Sequence, residues 1–394
     1  MLDLVKRILH ILKRDGVKLS VQSALLLLRM MITAPKAMRG LPQGLHIETT
    51  ATCNLSCEYC VLKSSHISKK IMAYADFMRL EPYFKYMYWI SLSTIAEPLL
   101  HKHISKFIVA IKRANPLCRV LMLSNATLLT GELSKKLINA GLDILQFSLD
   151  TADTELSNEI RKGSTLTSII DNIQELNDVK RKMRSTTPHL YATTVLQTKN
   201  YRHLPQTIES AAALGVRMIN VNGLEPYSDE LAERVLWIPQ NMPDDLSDIL
   251  AQSVNIANRL GIITNLSDFS PSQPCCSIVN TPVILPNGDV TACSVLAYDR
   301  DSLYQVNSQQ QIMKSRGKNT AKYFGNVFEK DFKEIWFSPE YSSFRKKVLS
   351  GQFPGECRRC LLKTQMICAN PNISPETVIA DLRKQRQPVL ETRH

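Results

Sequence analysis

The sequence predicts an α/β fold built on a parallel β-sheet or a partial barrel, followed by a smaller cysteine-rich region. Between residues 45 and 226, short apolar runs typical of strands alternate with helical stretches. Each of the first five strand candidates is followed by a helix, which is the rhythm of parallel βα units and not of an antiparallel meander. Beyond residue 271 the chain is rich in cysteine and in loop-forming residues.

The individual strands and helices follow from the local hydrophobic pattern. The strand candidates are residues 45–50, 88–95, 119–124, 143–149, 190–196 and 218–222. The helical stretches between them centre on Phe77, Ile108, Leu137, Ile170 and Ile208, and a further helix is predicted over residues 240–262. In such folds the loops that carry function follow the carboxyl ends of the strands, so these loops hold the candidate site residues.

Positive charge is concentrated near the N-terminus. The formal net charge is +12, and residues 1–40 contain eight basic and two acidic residues, which is +6. The first part of this segment has the apolar periodicity of an amphipathic helix. Such a helix either packs its apolar side on the rest of the protein or lies on an anionic membrane surface. Nucleic-acid binding is not expected, because the basic residues lack interleaved aromatics and follow no RNA-binding motif.

Composition and the N-terminal residues indicate a cytoplasmic protein, with peripheral membrane contact through residues 1–32 as a hypothesis. No apolar stretch approaches the roughly 18 residues that a membrane span needs. The charged N-terminus shows no small-residue cleavage site of a secretory signal. The 44% hydrophobic and 21% charged residues are ordinary globular composition. Without an export signal, the ten cysteines indicate reduced thiols or metal ligands and not a disulfide framework.

Three cysteines follow the first strand candidate directly. Cys53, Cys57 and Cys60 have the spacing Cys-x3-Cys-x2-Cys, so their thiols can converge on one metal centre from a single loop. A structural zinc site would want four ligands, usually arranged as two pairs. Three thiolates on a four-iron cluster would leave one iron without a protein ligand and open to another molecule.

This motif, in a loop after the first strand and with βα repeats behind it, resembles the radical SAM enzymes. The aromatic residue before the last cysteine, Tyr59, also matches. The resemblance implies a partial (βα)6 TIM-like barrel and a catalytic 4Fe–4S cluster held by Cys53, Cys57 and Cys60. It also implies that the unligated iron binds S-adenosylmethionine (SAM), which is cleaved reductively to a 5′-deoxyadenosyl radical that abstracts hydrogen from the substrate. A reducing partner such as flavodoxin or ferredoxin is implied as well.

Further SAM contacts are implied by the same resemblance. After the second strand the family has two glycines and a glutamate, whose backbone meets the SAM amino group. At this position the present chain has Thr94-Ile95-Ala96-Glu97 and lacks the glycines. Glycine permits close backbone approach, so the departure puts the SAM contact at this loop in question. Arg161 matches a position where related enzymes bind the SAM carboxylate, and a guanidinium suits this role because it binds carboxylate in a bidentate manner. The implied cofactor-binding residues are Tyr59, Ala96, Glu97, Asn125, Ser148 and Arg161.

A second group of cysteines lies near the C-terminus. Cys293 follows a predicted hairpin with a Pro-Asn-Gly-Asp turn, and Cys357 and Cys360 form a close pair. The pattern resembles the SPASM and twitch domains of radical SAM enzymes, which hold auxiliary iron–sulfur clusters. It implies one auxiliary 4Fe–4S cluster held by Cys275, Cys293, Cys357 and Cys360. Cys276 is the alternative first ligand, and Cys368 is a spare or a replacement. Spacing alone leaves a structural zinc ribbon of the same thiols open.

The expected domain organisation places each of these features in its own segment. It comprises a basic helical extension at 1–44, the barrel at 45–226, a helical connector at 227–270, the auxiliary cluster domain at 271–373 and a polar tail at 374–394. The expected activity is the net oxidation or dehydrogenation of a small, sugar-like or lipid-linked substrate, with the auxiliary cluster as electron acceptor. The alternatives are a peptide or protein maturase of the same superfamily, and a non-catalytic iron–sulfur electron carrier or binding protein.

Overall fold

The structure, a computed structural model, describes residues 40–63, 70–236, 241–266, 280–299, 304–306, 312–314, 321–354 and 357. The N-terminal amphipathic helix and the polar tail expected from the sequence lie outside these residues, as do Cys275, Cys276, Cys360 and Cys368. In the described part of the chain, no helix is both long enough and apolar enough to cross a membrane.

One sheet organises the described residues, and its nine strands lie in the order β7-β6-β5-β4-β3-β2-β1-β8-β9. Its first six strands are parallel, which confirms the predicted barrel sheet. The strands are β1 (Gly44–Ile47), β2 (Trp89–Ser91), β3 (Arg119–Ser124), β4 (Ile144–Ser148), β5 (His189–Leu196), β6 (Val216–Gly223), β7 (Ile263–Thr264), β8 (Val283–Ile284) and β9 (Val290–Thr291). A separate antiparallel pair joins β10 (Tyr304–Val306) to β11 (Ile312–Lys314).

Helices connect successive strands. The α-helices are α1 (Tyr74–Met78), α2 (Glu81–Phe84), α3 (Ile104–Ala114), α4 (Gly131–Ala140), α5 (Thr154–Ile160), α6 (Leu166–Lys182), α7 (Leu204–Ala213), α8 (Asp229–Ala232), α9 (Leu246–Leu260), α10 (Phe332–Trp336) and α11 (Pro339–Leu349). Side chains cap several of their starts: Thr130, Asp153 and Thr165 each accept a backbone N–H from the first turn of α4, α5 and α6.

The faces of the strands separate a hydrophobic core from a polar interior. Successive side chains of a strand point to opposite faces of the sheet. On β4, Leu145 and Phe147 belong to the core between sheet and helices. Gln146 and Ser148 therefore point to the inner face of the curved sheet. The residues that follow the carboxyl ends of β1 to β6 share one rim of this sheet, where the candidate site lies.

The C-terminal region joins the same sheet. Strand β8 pairs in parallel with β1, and β9 returns beside it as a hairpin. The Trp336 indole N–H donates to the Gly40 carbonyl at 2.8 Å, and the Tyr83 hydroxyl donates to the Asp331 carboxylate. On the opposite edge β7 pairs with β6, so the expected helical connector also supplies α9 and one strand.

Candidate active site

The cysteine motif occupies the loop that follows β1. Cys57 is buried, and Cys53 and Cys60 are partly exposed. Polar groups lie beside two of the sulfurs. The Leu55 N–H donates to Cys53 Sγ at 3.4 Å, the Asn125 amide lies 3.7 Å from the same sulfur, and an Arg161 guanidinium nitrogen lies 4.0 Å from Cys57 Sγ. Donors and a cation beside sulfur stabilise thiolate, the form that binds a cluster.

Backbone hydrogen bonds attach this loop to the end of α5. Ser56 N–H donates to the Lys162 carbonyl and Glu58 N–H to the Ile160 carbonyl, both at 2.9 Å. Gly163 follows with φ of 99°, a conformation that L side chains rarely adopt, and a Cβ there would meet Leu55 at 3.3 Å. The close approach of the two loops therefore depends on glycine at this position.

Asn125, in the loop after β3, holds the cysteine loop from another side. Its amide donates to the Asn54 side-chain oxygen at 2.9 Å, and its own side-chain oxygen accepts from the Thr127 N–H and hydroxyl. Its backbone N–H donates to Glu97 at 2.7 Å. The structure thus places Asn125 beside Cys53, as a residue that orients the cluster loop.

Arg161 is part of a buried charged network. Its Nε lies 2.8 Å from Asp150 Oδ2, and its Nη2 donates to the Tyr59 hydroxyl at 2.6 Å. Tyr59 in turn donates to the same Asp150 oxygen at 2.7 Å, while the Val195 N–H donates to the other at 2.8 Å. Burial is the main cause that raises the pKa of Tyr59 well above its usual value, so the phenol stays protonated. The guanidinium is therefore held by protein groups, and its contact with the SAM carboxylate stays a prediction.

Glu58, inside the cysteine motif, forms ion pairs with three basic side chains around the loop. Its carboxylate lies 2.7 Å from Arg234, 3.2 Å from Lys199 and 3.8 Å from Lys162. Its pKa is lowered because hydrogen bonds from Arg234 and Lys199 outweigh the opposing effect of burial. These ion pairs link the cysteine loop to the loops that follow β5 and β6 and to α5.

Glu97 is committed to the protein rather than open to a ligand. One carboxylate oxygen accepts from the Leu99 N–H at 3.0 Å and the Ser124 hydroxyl at 2.8 Å, and the other accepts from Asn125. The residue is 2% exposed, and burial raises its pKa. It joins the ends of β2 and β3, and its implied contact with SAM stays a prediction.

One group of side chains on the inner face of the barrel at this rim is polar and uncharged. The strand register aligns Gln146 with Tyr191, and Ser148 with Thr193 and Asn220. The Asn222 amide donates to the Thr193 hydroxyl at 3.0 Å. Ser148, an implied SAM contact, is therefore one of a layer of hydroxyl and amide groups facing the interior. Such a layer offers both donors and acceptors to a ligand.

The donor set fits an iron–sulfur cluster. Among the described residues, no three His, Cys, Asp or Glu side chains approach closely enough to bind one metal ion. A four-iron cluster takes its thiolates on separate irons, so it needs no such convergence on one point. Burial raises the pKa of Cys57 to about 11 despite the opposing charge of Arg161. Cluster binding must therefore release a proton from this thiol.

The second cysteine group is described in part. Cys293 lies two residues after β9 and is partly exposed, and Cys357 lies buried beyond α11. Tyr341, on α11, stacks on Phe324 with ring centroids 4.0 Å apart. Burial raises the pKa of Tyr341, and the Arg345 guanidinium, 4.7 Å from the centre of its ring, opposes the effect.

Family models match both cysteine regions. The model of the radical SAM superfamily matches residues 47–211, and that of SPASM, an iron-sulfur cluster-binding domain, matches residues 275–361. This chain belongs to the radical SAM superfamily. It is a radical SAM enzyme with a SPASM domain, and its cofactors are SAM, a 4Fe–4S cluster and an auxiliary cluster. The SPASM match contains Cys275, Cys276, Cys293, Cys357 and Cys360 and excludes Cys368; which of them bind iron stays a prediction.

Relatives of known role differ in what they do. The tungsten-containing aldehyde ferredoxin oxidoreductase cofactor-modifying protein of Pyrococcus furiosus is 25% identical over 327 residues, which cover 81% of this chain and 87% of that protein. A GTP 3′,8-cyclase of Clostridium botulinum is 28% identical over 138 residues, covering 33% of this chain and 42% of the cyclase. The cyclase match is therefore confined to part of each protein.

Solved structures share the fold. Streptococcus suis SuiB bound to S-adenosylmethionine has a TM-score of 0.58 at 15% identity, with 86% of this chain and 78% of SuiB covered. The enzyme anSMEcpe with bound AdoMet has a TM-score of 0.55 at 15% identity, with 82% and 88% covered. SuiB has also been solved with the precursor peptide SuiA, and anSMEcpe with a Kp18Cys peptide.

Three positioning residues were missed by sequence reasoning. Glu48, Asn54 and Gly163 hold the loops around the motif, yet none carries a recognised pattern. Glu48 had a usable signal, because an acidic residue at the end of a buried apolar strand needs a partner. Gly163 had a weaker one, since a glycine just after a helix often adopts positive φ.

Proposed function

We propose that this radical SAM enzyme carries out a net oxidation or dehydrogenation of a small, sugar-like or lipid-linked substrate that is rich in hydrogen-bonding groups. The observation that carries the proposal is the polar, uncharged layer of Gln146, Ser148, Thr193 and Asn220 on the inner face of the barrel. Hydroxyl and amide side chains pair with hydroxyl groups of a ligand without the cost of burying a charge.

The residues of this chain prepare and enclose the reaction. When bound, SAM and its cluster supply a hydrogen-abstracting 5′-deoxyadenosyl radical, and an auxiliary cluster supplies an acceptor for the electron that an oxidation releases. Cys53, Cys57 and Cys60 would hold the first cluster, and Arg161 places positive charge beside one thiolate. The inner layer of the barrel orients the substrate, and the surrounding strands exclude water from the reactive centre.

The shared sheet supports an oxidation. Strand β1, which precedes the Cys53 motif, pairs with β8, and β8 pairs with β9, which precedes Cys293. Hydrogen-bonded strands keep the two cysteine regions at a fixed distance from each other. A constant separation suits electron transfer from the substrate to an auxiliary cluster, with flavodoxin or ferredoxin as the proposed external partner.

A peptide or protein maturase is the second candidate. It is favoured by the titles of two structural relatives, SuiB with a precursor peptide and anSMEcpe with a peptide, and by the cofactor-modifying relative of Pyrococcus furiosus. The same amide and hydroxyl layer also suits the backbone of an extended peptide, whose N–H and C=O groups need partners.

Iron content and SAM cleavage test the proposed chemistry. Anaerobically reconstituted protein should hold about eight irons per chain, by the arithmetic of two four-iron clusters. With SAM and a chemical reductant it should release 5′-deoxyadenosine. Cys57→Ala should abolish the release, whereas Cys118→Ala, which removes a buried thiol outside both cysteine groups, should retain it. Full iron without SAM cleavage would instead support a non-catalytic electron carrier.

The auxiliary cluster and the substrate class are tested separately. Cys293→Ser should reduce iron to about four per chain, keep SAM cleavage and lose the oxidised product. Four irons with about one zinc in the wild-type protein would point to a structural ribbon and against the oxidation. Incubation with sugar-nucleotide, lipid-linked-sugar and peptide pools should give a product two hydrogens lighter in one of them. A peptide product would replace the first candidate by the second.

A further inference from the structure

Glu48, which follows β1, is a buried carboxylate that grips the neighbouring loop. It is 1% exposed, and its Oε1 accepts from the Ala96 N–H at 2.8 Å. The Ile95 N–H lies 3.2 and 3.3 Å from the two carboxylate oxygens. The Thr94 N–H also faces this carboxylate and favours its ionised form. Successive backbone N–H groups therefore converge on one side chain.

The gripped loop is the one that the family resemblance assigns to the SAM amino group. Here residues 94–96 carry side chains where the family has glycines, so the backbone has fewer accessible conformations and must be held in a suitable one. Two further contacts locate it. The Glu97 N–H donates to the Thr52 carbonyl at 3.0 Å, next to Cys53, and Ile95 packs against a cluster that includes Leu285 and Tyr298 of the C-terminal region.

The charge of Glu48 is balanced by backbone dipoles. In the described part of the chain, no ion pair joins Glu48 to a lysine, arginine or histidine. A buried carboxylate without a cation is costly, and backbone N–H groups recover only part of that cost. A ligand that carries an ammonium and a sulfonium, as SAM does, would meet a favourable field at this loop.

We propose that Glu48 is a positioning residue that holds the backbone of residues 94–96 in the conformation that receives the SAM amino group, in place of the missing glycines. The proposal rests on the proposed function in one respect, that SAM binds at this rim. It concerns affinity for SAM and is independent of which substrate is oxidised.

The test compares SAM binding to reconstituted holoprotein and its Glu48→Ala and Glu48→Gln variants. Equilibrium dialysis without reductant gives the dissociation constant. The change that SAM causes in the electron paramagnetic resonance spectrum of the reduced cluster gives a second readout. Glu48→Ala should weaken SAM binding at least about tenfold, which corresponds to losing roughly one good hydrogen bond to a charged acceptor. Glu48→Gln retains one acceptor oxygen and should lose less. Iron per chain should stay at the wild-type level.

A distant buried clamp provides the control. Asn115, 2% exposed, donates to the carbonyls of Phe84 and Met87 on the opposite rim of the sheet. Asn115→Ala should lower the melting temperature and leave the SAM dissociation constant unchanged.

Wild-type SAM affinity in Glu48→Ala at full iron content would overturn the proposal. If Glu48→Ala loses iron, Glu48→Gln decides, since unchanged affinity and an unchanged spectroscopic response there would equally overturn it. Failure of the proposed function is separate, because it appears in the wild-type protein as absent SAM binding or absent 5′-deoxyadenosine. A wild-type protein that binds and cleaves SAM but oxidises no tested substrate leaves the role of Glu48 supported by the affinity data.

Discussion

Two buried carboxylates at the rim of the barrel are neutralised by different means. Asp150 faces a cation, since Arg161 Nε lies 2.8 Å away, and both side chains are almost fully buried. Glu48 faces backbone N–H groups instead, and burial raises its pKa to about 7. A fixed guanidinium stabilises the ionised form more than a set of peptide dipoles does. The two residues should therefore respond differently to substitution and to pH.

Loss of the Asp150 charge should destabilise the protein strongly. Asp150→Asn leaves the Arg161 guanidinium buried without its anion, and breaking such a pair costs about 3–5 kcal/mol. Urea unfolding followed by circular dichroism measures the change. Lys136→Ala is the control, because its partner Glu132 is 85% exposed and such surface pairs contribute little. An Asp150→Asn midpoint equal to that of wild type would contradict the role of this pair.

The raised pKa of Glu48 predicts a specific pH dependence. Because the folded-state pKa of about 7 exceeds the ordinary glutamate value of 4.5, the stability linked to this group is fully present below pH 4.5 and is lost as the pH rises through 7. Relative to Glu48→Gln, the free energy of unfolding of wild type should fall by about 1.4 kcal/mol between pH 6 and pH 8.5. Parallel curves for the two proteins in urea titrations would refute the prediction.

At the scale of elements, the cysteine loop owes its shape to neighbouring loops more than to itself. The end of α5 accepts two of its backbone N–H groups, and Asn125 binds it from the loop after β3. Glu58 ties it to the loops beyond β5 and β6. A short loop without regular structure gains a defined conformation only when its polar groups have fixed partners.

Gly163→Ala tests this docking. The substitution adds the strain of positive φ and a contact with Leu55, so it should lower both stability, by about 1–2 kcal/mol, and iron at the first cluster. Gly261→Ala is the matched control, since φ is 69° there and nothing lies within 4 Å of the added Cβ. Gly261→Ala should therefore add backbone strain without a new side-chain contact, and it should leave the iron content unchanged. Equal iron in the two variants would argue against a role for Gly163 in holding the loop.

At the scale of the whole molecule, the C-terminal region and the barrel share a sheet and a core. Trp336 on α10 is 2% exposed, and the Arg345 guanidinium lies 3.7 Å from its ring centroid. Its indole reaches the chain just before β1 at Gly40. Packing of this kind links the stability of the auxiliary cluster region to that of the barrel edge.

Trp336→Ala should therefore affect both regions. Removal of a buried tryptophan costs about 3–5 kcal/mol, and we expect a single unfolding transition at lower urea in which iron is lost from both clusters together. Phe337→Ala, at the adjacent residue that is 39% exposed, should change little. Two separate transitions in wild type, with only the second cluster affected by Trp336→Ala, would show that the regions unfold independently.

Membrane contact through the basic N-terminal residues is tested by removing them. Because residues 1–40 carry +6, full-length protein should pellet with anionic phospholipid vesicles more than a chain that starts at Gly40 does. The difference should shrink as salt is raised, since screening weakens the attraction. Equal pelleting of the two proteins would exclude this role for the segment.

Much of the fold can be predicted from local sequence patterns. Periodicity located the six barrel strands, and residues 119–124 are the strand β3 with the predicted bounds. The strands β7, β8 and β9 were harder to place, because each spans two residues and is stabilised by pairing with distant chain. The contact between Arg161 and SAM was predicted from the order of the family motifs along the chain. No sequence pattern predicts that Asp150 and Tyr59 contact this side chain.

The sequence by itself determined the parallel βα repeat, the three-cysteine motif, the second cysteine group and the family to which they point. These depend on spacing between neighbouring residues, which the chain displays directly. Only the tertiary structure decided that Asp150, Tyr59 and Arg161 form one buried network, that Glu48 grips the loop at residues 94–96, and that the C-terminal hairpin extends the barrel sheet. Apart from Arg161 and Asp150, these contacts join residues about 50 to more than 200 positions apart. Their partners are chosen by burial and hydrogen-bond satisfaction, which no local pattern encodes.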